Sequence, residues 1–129
     1  MKTSFFIAAA CLVTLSLFIG WAKFTRNNDD ITIAVAETDD AYTYTASFSE
    51  AATGRVQDYI NHSIRPNSLF RSSHDYFDVN TTLADQTNFY VKESPGELRI
   101  RINKHKNSTA SYLRIKNMCN GISNVLKGK

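Results

Sequence analysis

The chain predicts an α+β domain, a small antiparallel sheet of two hairpins with two amphipathic helices on one face, in the order ββα-ββα. Three observations predict it. Two alternating segments, Ile31 to Ala36 and Tyr42 to Phe48, flank Asp39-Asp40. A second alternating pair, Asn88 to Ser94 and Glu97 to Asn103, is joined by Pro95-Gly96. Two stretches, after Glu50 and after Thr109, carry apolar residues at spacings of three and four.

In the first hairpin, β-branched or aromatic residues alternate with smaller ones, and the paired aspartates suit a turn. Ser47-Phe48-Ser49-Glu50 has the spacing of a capping box, with a hydroxyl and a carboxylate placed to satisfy free amides at a helix start. The helix that follows puts Ala52, Val56, Tyr59, Ile60 and Ser63 on one face, with Arg55, Gln57, Asp58 and Asn61 facing away. Pro66 stops it, because its ring clashes with the preceding turn. The stretch from Asn67 to Gln86 reads as a long link with one irregular strand near Tyr76 to Thr82.

Pro95-Gly96 suits a type II turn, since proline fixes φ near −65° and glycine accepts positive φ. Pairing outward from Ser94 and Glu97 sets Val91 opposite Ile100 and Phe89 opposite Ile102 on an apolar face. The other face then carries Lys92 opposite Arg99 and Tyr90 opposite Arg101. Ser108 or Thr109 caps a final helix whose Tyr112, Ile115, Cys119, Ile122 and Leu126 form a stripe, widened by Leu113, Met118 and Val125. Gly121 costs this helix about 1 kcal/mol relative to alanine, which points to close packing against the sheet.

The 129 residues divide into three parts. Residues 1–22 read as an N-terminal transmembrane anchor or a signal peptide, 23–30 as a polar tether, and 31–129 as a single small domain. The run Phe5 to Ala22 carries no charge, and at 1.5 Å per residue spans roughly 27 Å, the thickness of a bilayer core. Gly20-Trp21-Ala22 supplies a cleavable small-x-small pattern, while the tryptophan suits a membrane interface. The expected location is a membrane-anchored, exported domain, or a secreted or periplasmic one after cleavage. At 43% hydrophobic and 21% charged, the composition is neither disordered nor collagenous.

Charge is segregated along the chain. Residues 29–90 hold ten acids and three bases, and residues 91–129 hold nine bases and two acids. If the two halves simply face each other, the charges solvate the outside of the fold. The alternative is a cationic strip of Tyr90, Lys92, Arg99, Arg101, Lys104 and Lys106 that meets an acidic protein or an anionic envelope surface. An exported domain is not expected to meet nucleic acid.

No residue set reads as catalytic, metal-ligating or cofactor-binding. His62, His74 and His105 lack metal-site spacing, and no phosphate-loop, dinucleotide-loop or paired-cysteine motif is present. The sequence therefore favours a non-enzymatic envelope module that binds through the basic hairpin face. Its alternatives are a small hydrolase using His74 or Cys119, and a purely structural domain.

Overall fold

The structure, a computed structural model, describes residues 31–71 and 76–128. The expected leader (residues 1–22), the tether (residues 23–30) and His74 lie outside the described residues. Among the described residues no helix is long and apolar enough to cross a membrane.

The elements run β1 (Thr32–Glu37), β2 (Ala41–Ser47), α1 (Thr53–Ser63), β3 (Phe77–Thr82), β4 (Asn88–Ser94), β5 (Glu97–Asn103) and α2 (Thr109–Leu126). The strands form one antiparallel sheet in the order β1-β2-β5-β4-β3. The α+β class is as expected, but the order is ββα-βββα, because β3 is a full edge strand.

The strand expected near Tyr76 to Thr82 is present as β3, but it is regular and pairs with β4 rather than standing in a loose link. Its sequence FDVNTT does alternate, but the inward residues are weak, with Phe77 half-buried and Val79 exposed at the sheet edge. The turn into β4 carries neither glycine nor proline. Leu83 N donates to Thr87 O (2.8 Å) and Gln86 N to Leu83 O (3.0 Å), and Gln86 takes a left-handed φ of 74°. A non-glycine residue there costs roughly 1–2 kcal/mol, and the local turn signal is Asp85 alone, whose Oδ1 accepts from Thr87 N (3.1 Å).

The β4–β5 register matches the expectation, with Ser94 opposite Glu97, Lys92 opposite Arg99, Val91 opposite Ile100 and Tyr90 opposite Arg101. Gly96 sits at φ 84°, as the type II turn requires. Across the next strand, Tyr44 lies opposite Ile100 and Ala46 opposite Leu98. These residues, with Phe89, Val91 and Ile102, form one apolar layer, and α1 and α2 cover it with Val56, Ile60, Ile115, Cys119 and Ile122. In the first hairpin the turn is held by Thr38 rather than by the aspartates, since its Oγ1 accepts from Asp40 N and Ala41 N (both 3.1 Å).

Three local expectations change. The capping box does not form. Ser47 is still in β2, neither Ser49 nor Ala52 caps through a side chain, and α1 is entered through a 3-10 turn at Glu50–Ala52. Gln57 and Asn61 do not face away: Gln57 is buried, and Asn61 holds the link by accepting from Leu69 N (2.8 Å) and donating to Phe70 O (2.9 Å). That link buries Ile64 and Phe70 in the core, so polar composition hid its packing. In α2, capped by Ser108 Oγ accepting from Ser111 N (3.0 Å), Leu113 is exposed, whereas Met118 is buried.

Gly121 allows close packing, but against α1 rather than the sheet. A Cβ at this position would drive into the Tyr59 ring. Gly121→Ala should therefore lower the melting temperature in the native protein, yet raise it in a Tyr59→Ala background, where only the helix-propensity gain of about 1 kcal/mol remains. Thermal denaturation of the four chains of this double-mutant cycle measures the reversal; a stabilising Gly121→Ala in both backgrounds would disprove the contact.

Candidate functional site

Because side chains alternate across a strand, the face opposite the helices is set by the same register that builds the core. Its central row runs Ala34, Thr45, Arg99, Lys92 and Asp78, and the next runs Ala36, Thr43, Arg101, Tyr90 and Asn80. No described helix covers this face. It carries cations at its centre, hydroxyls on β2, and Asp78, Asn80 and Thr82 on β3.

Two shallow depressions lie on it. The first, about 340 Å³, is bordered by Lys92 and Arg99, the hydroxyl residues Thr45, Ser47 and Ser94, and Glu97, with Tyr76 at its rim. The second, about 320 Å³, is bordered by Arg101 and Lys106 with Asn80, Asn88, Asn103 and Tyr90. The Tyr90 hydroxyl donates to Asp78 Oδ1 (2.7 Å), and this hydrogen bond raises the phenol above its ordinary value, so it stays protonated.

The short 3-10 turn after β5 separates the two remaining residues of the expected strip. Asn103 Oδ1 accepts from His105 N (2.8 Å) and Lys106 N (3.2 Å), curling the chain. Lys106 thereby reaches the second depression. Lys104 turns the other way, pairing with Glu37 (2.8 Å), donating to Thr38 O (2.7 Å) and lying over the Tyr112 ring. Five of the six expected residues share the open face, and Lys104 belongs to a cluster at the β1 edge.

The ion pairs explain which cations stay available. Glu37 pairs with Lys104 and Lys116, Asp40 with His105, and Asp85 with Arg114, each an acid of the first half with a base of the second. Lys92, Arg99, Arg101 and Lys106 have no such partner among the described residues. Arg114 also donates to Ser63 O (3.1 Å) and Arg65 O (3.3 Å), tying the end of α1 to the β3–β4 turn. Facing halves thus account for Glu37, Asp40 and Asp85 and their partners Lys104, His105, Arg114 and Lys116, and leave four cations together on the sheet face.

Beneath the first depression lies a group that the sequence reading passed over. Glu93 is 1% exposed on the apolar face, opposite Leu98 and Phe77, and its Oε1 accepts from Gln57 Nε2 (2.7 Å). Strand parity was the available signal, since Glu93 alternates with Val91 and Phe89. The same parity, extended to β2 and β3, would have found the hydroxyls and amides.

Cys119 is fully buried, and burial pushes its thiol far above the ordinary range, so it presents no thiolate. Among the described residues no group of three or more His, Cys, Asp or Glu is placed to hold a metal ion. Comparison with family models, with characterised proteins and with solved structures finds no match to this chain.

At the β1 edge, burial alone would raise Glu37. The hydrogen bonds from Lys104 and Tyr112 and the charges of Lys104 and Lys116 outweigh it, holding the carboxyl below its ordinary 4.5. A lowered folded value means that the stabilisation is present above pH 4.5 and is lost as pH falls through that lower value. Glu37→Gln should therefore flatten the acid limb of a melting-temperature-against-pH curve below about pH 4.5. An unchanged acid limb would show that the cluster contributes nothing.

Proposed function

We propose that this protein is a non-enzymatic envelope module that binds an anionic partner through the open face of its sheet. Lys92, Arg99, Arg101 and Lys106 supply the attraction, with Tyr90 and the neighbouring hydroxyls and amides as neutral donors. The observation that carries the reading is where the unpaired cations gather: Lys104, His105, Arg114 and Lys116, at the edge and on the last helix, hold acids of the first half, while these four share one open face and enter no ion pair among the described residues. Cations left unpaired on an accessible face act at range and set up a focused positive potential.

In this reading the run Phe5 to Ala22 is either an uncleaved anchor or a signal removed before Lys23, as its uncharged length and its Gly20-Trp21-Ala22 end support. The N-terminal placement of the run favours export of the domain by either route, where the basic face would meet an anionic envelope surface or an acidic protein. Terminal sequencing of the mature protein separates them, and a reporter fusion active only in the cytoplasm would reject both.

The double substitution Arg99→Gln/Arg101→Gln tests the binding role. Both side chains are exposed and outside any ion pair of the described residues, so the melting temperature should change little, whereas association with an anionic surface should weaken and lose much of its salt dependence. A large loss of stability with unchanged binding would make the two arginines structural and overturn the proposal.

A further inference from the structure

The arrangement of the open face narrows the class of anion, given the binding role proposed above. Arg99 and Arg101 are two residues apart on β5, on the same face, so their Cα atoms stand roughly 7 Å apart along the strand. Each belongs to its own depression, and each depression holds a second cation, Lys92 in the first and Lys106 in the second. The face therefore presents a pair of cations with neutral hydrogen-bonding side chains twice over, the first pair having the Glu97 carboxylate at its border as well. A single anion satisfies one pair, and only a chain with repeating anionic groups satisfies both.

The geometry points to a linear polyol-phosphate polymer of the poly(glycerol phosphate) type, lying along β5 with successive phosphates in the two depressions. An extended glycerol spacer separates neighbouring phosphates by a distance close to the strand repeat. Phosphate oxygens accept from arginine and lysine together with hydroxyl and amide donors, and both depressions offer such groups. The polyol hydroxyls pair with the same Ser, Thr and Asn side chains.

Two rival occupants fit less well. A folded protein partner needs an apolar or aromatic anchor at the centre of its interface. Here the exposed large apolar residues among those described are Tyr76, at the rim, Val79, on the helix-covered side of β3, and Leu113, on α2. A nucleic acid needs successive aromatic platforms for its bases. Tyr90 is half-buried with its hydroxyl tied to Asp78, which leaves Tyr76 as a lone exposed ring.

Glu97 marks one end of the track. It borders the first depression and lies opposite Ser94 and Ser47, so it repels phosphate beyond the Pro95-Gly96 turn. Continuation of the polymer is favoured in the other direction, past Arg101 toward Lys106.

The test uses the full-length chain in a non-ionic detergent, titrated with glycerol phosphate and with poly(glycerol phosphate) at several salt concentrations. The polymer should bind far more tightly per phosphate than the monomer, because both depressions are engaged at once. Its log–log salt dependence should have a magnitude of about 3, from four cations at about 0.7 each. Lys92→Gln/Arg99→Gln and Arg101→Gln/Lys106→Gln should each remove most of the gain of polymer over monomer and halve that slope. Glu97→Gln should tighten polymer binding.

Equal or tighter binding of poly-glutamate of matched charge would replace the polymer by an acidic protein, and tighter binding of a single-stranded oligonucleotide would replace it by nucleic acid. Binding only to phosphatidylglycerol vesicles would assign the face to lipid. In each of these cases the polyol-phosphate assignment falls while the anion-binding role stands. No salt-sensitive binding to any of these probes would overturn both.

Discussion

The Pro95-Gly96 turn is the point on which the domain's geometry depends. Gly96 is buried at φ 84°, its carbonyl accepts from Phe48 N (2.9 Å), and its own N–H donates to Thr53 Oγ1 (2.9 Å). A Cβ there would lie 2.9 Å from Phe48 O, so no other residue fits without displacing backbone. One residue thus sets the β4–β5 register, seats the end of β2 and fixes the start of α1. It also occupies the hydroxyl of Thr53 at the first turn of the helix.

Register then partitions every side chain of the two central strands. A slip of one residue would turn Val91, Leu98, Ile100 and Ile102 outward and bring Arg99, Arg101 and Lys92 into the core. The cost of burying unpaired cations far exceeds any turn preference, so the core and the cationic face specify each other. Glu93 is the one ionisable side chain on the buried side of these strands, and Gln57 reaches down from α1 to meet it. Polar ties of this kind, with Thr87 Oγ1 donating to Ser111 Oγ (2.7 Å) and Tyr44 bonded to Ser123 (2.8 Å), orient the helices on an otherwise apolar layer.

Electrostatics follows from this partition. The edge strand β1 brings Glu37 to the helix-covered side, where Lys104, Lys116 and Tyr112 converge on it. The turn beyond β1 brings Asp40 to His105, and the β3–β4 turn brings Asp85 to Arg114. None of these acids reaches the centre of the open face. Across β4 and β5 the neighbours of Arg99 and Arg101 are a lysine, a tyrosine and two threonines, so the cations there stay concentrated. Part of the charge segregated along the chain is paired at the rim, while Lys92, Arg99 and Arg101 in the middle of the sheet enter no ion pair among the described residues, with Asp78 opposite Lys92 on β3.

Much of this was written locally. Alternation in β2, β4 and β5, the type II turn and the two amphipathic stripes rest on periodicity and turn chemistry, which act within a few residues, and they set both the α+β class and the cationic β4–β5 face. What the sequence did not reveal depended on residues distant in the chain. The strand near Tyr76 to Thr82 was legible, but its pairing was not, because that depends on the open edge of β4 and on a turn that holds Gln86 at positive φ. Gln57 points inward because Glu93 is there to receive it, and Gly121 packs on Tyr59 because the helices cross at that point. Lys104 and Lys106, two residues apart, separate because Glu37 draws one to the β1 edge while the Asn103-capped turn leaves the other beside Arg101. By itself the sequence determined which side of each strand is apolar, since that is a matter of parity. Only the tertiary structure decided which charges found partners, because pairing depends on distances between segments that periodicity does not encode.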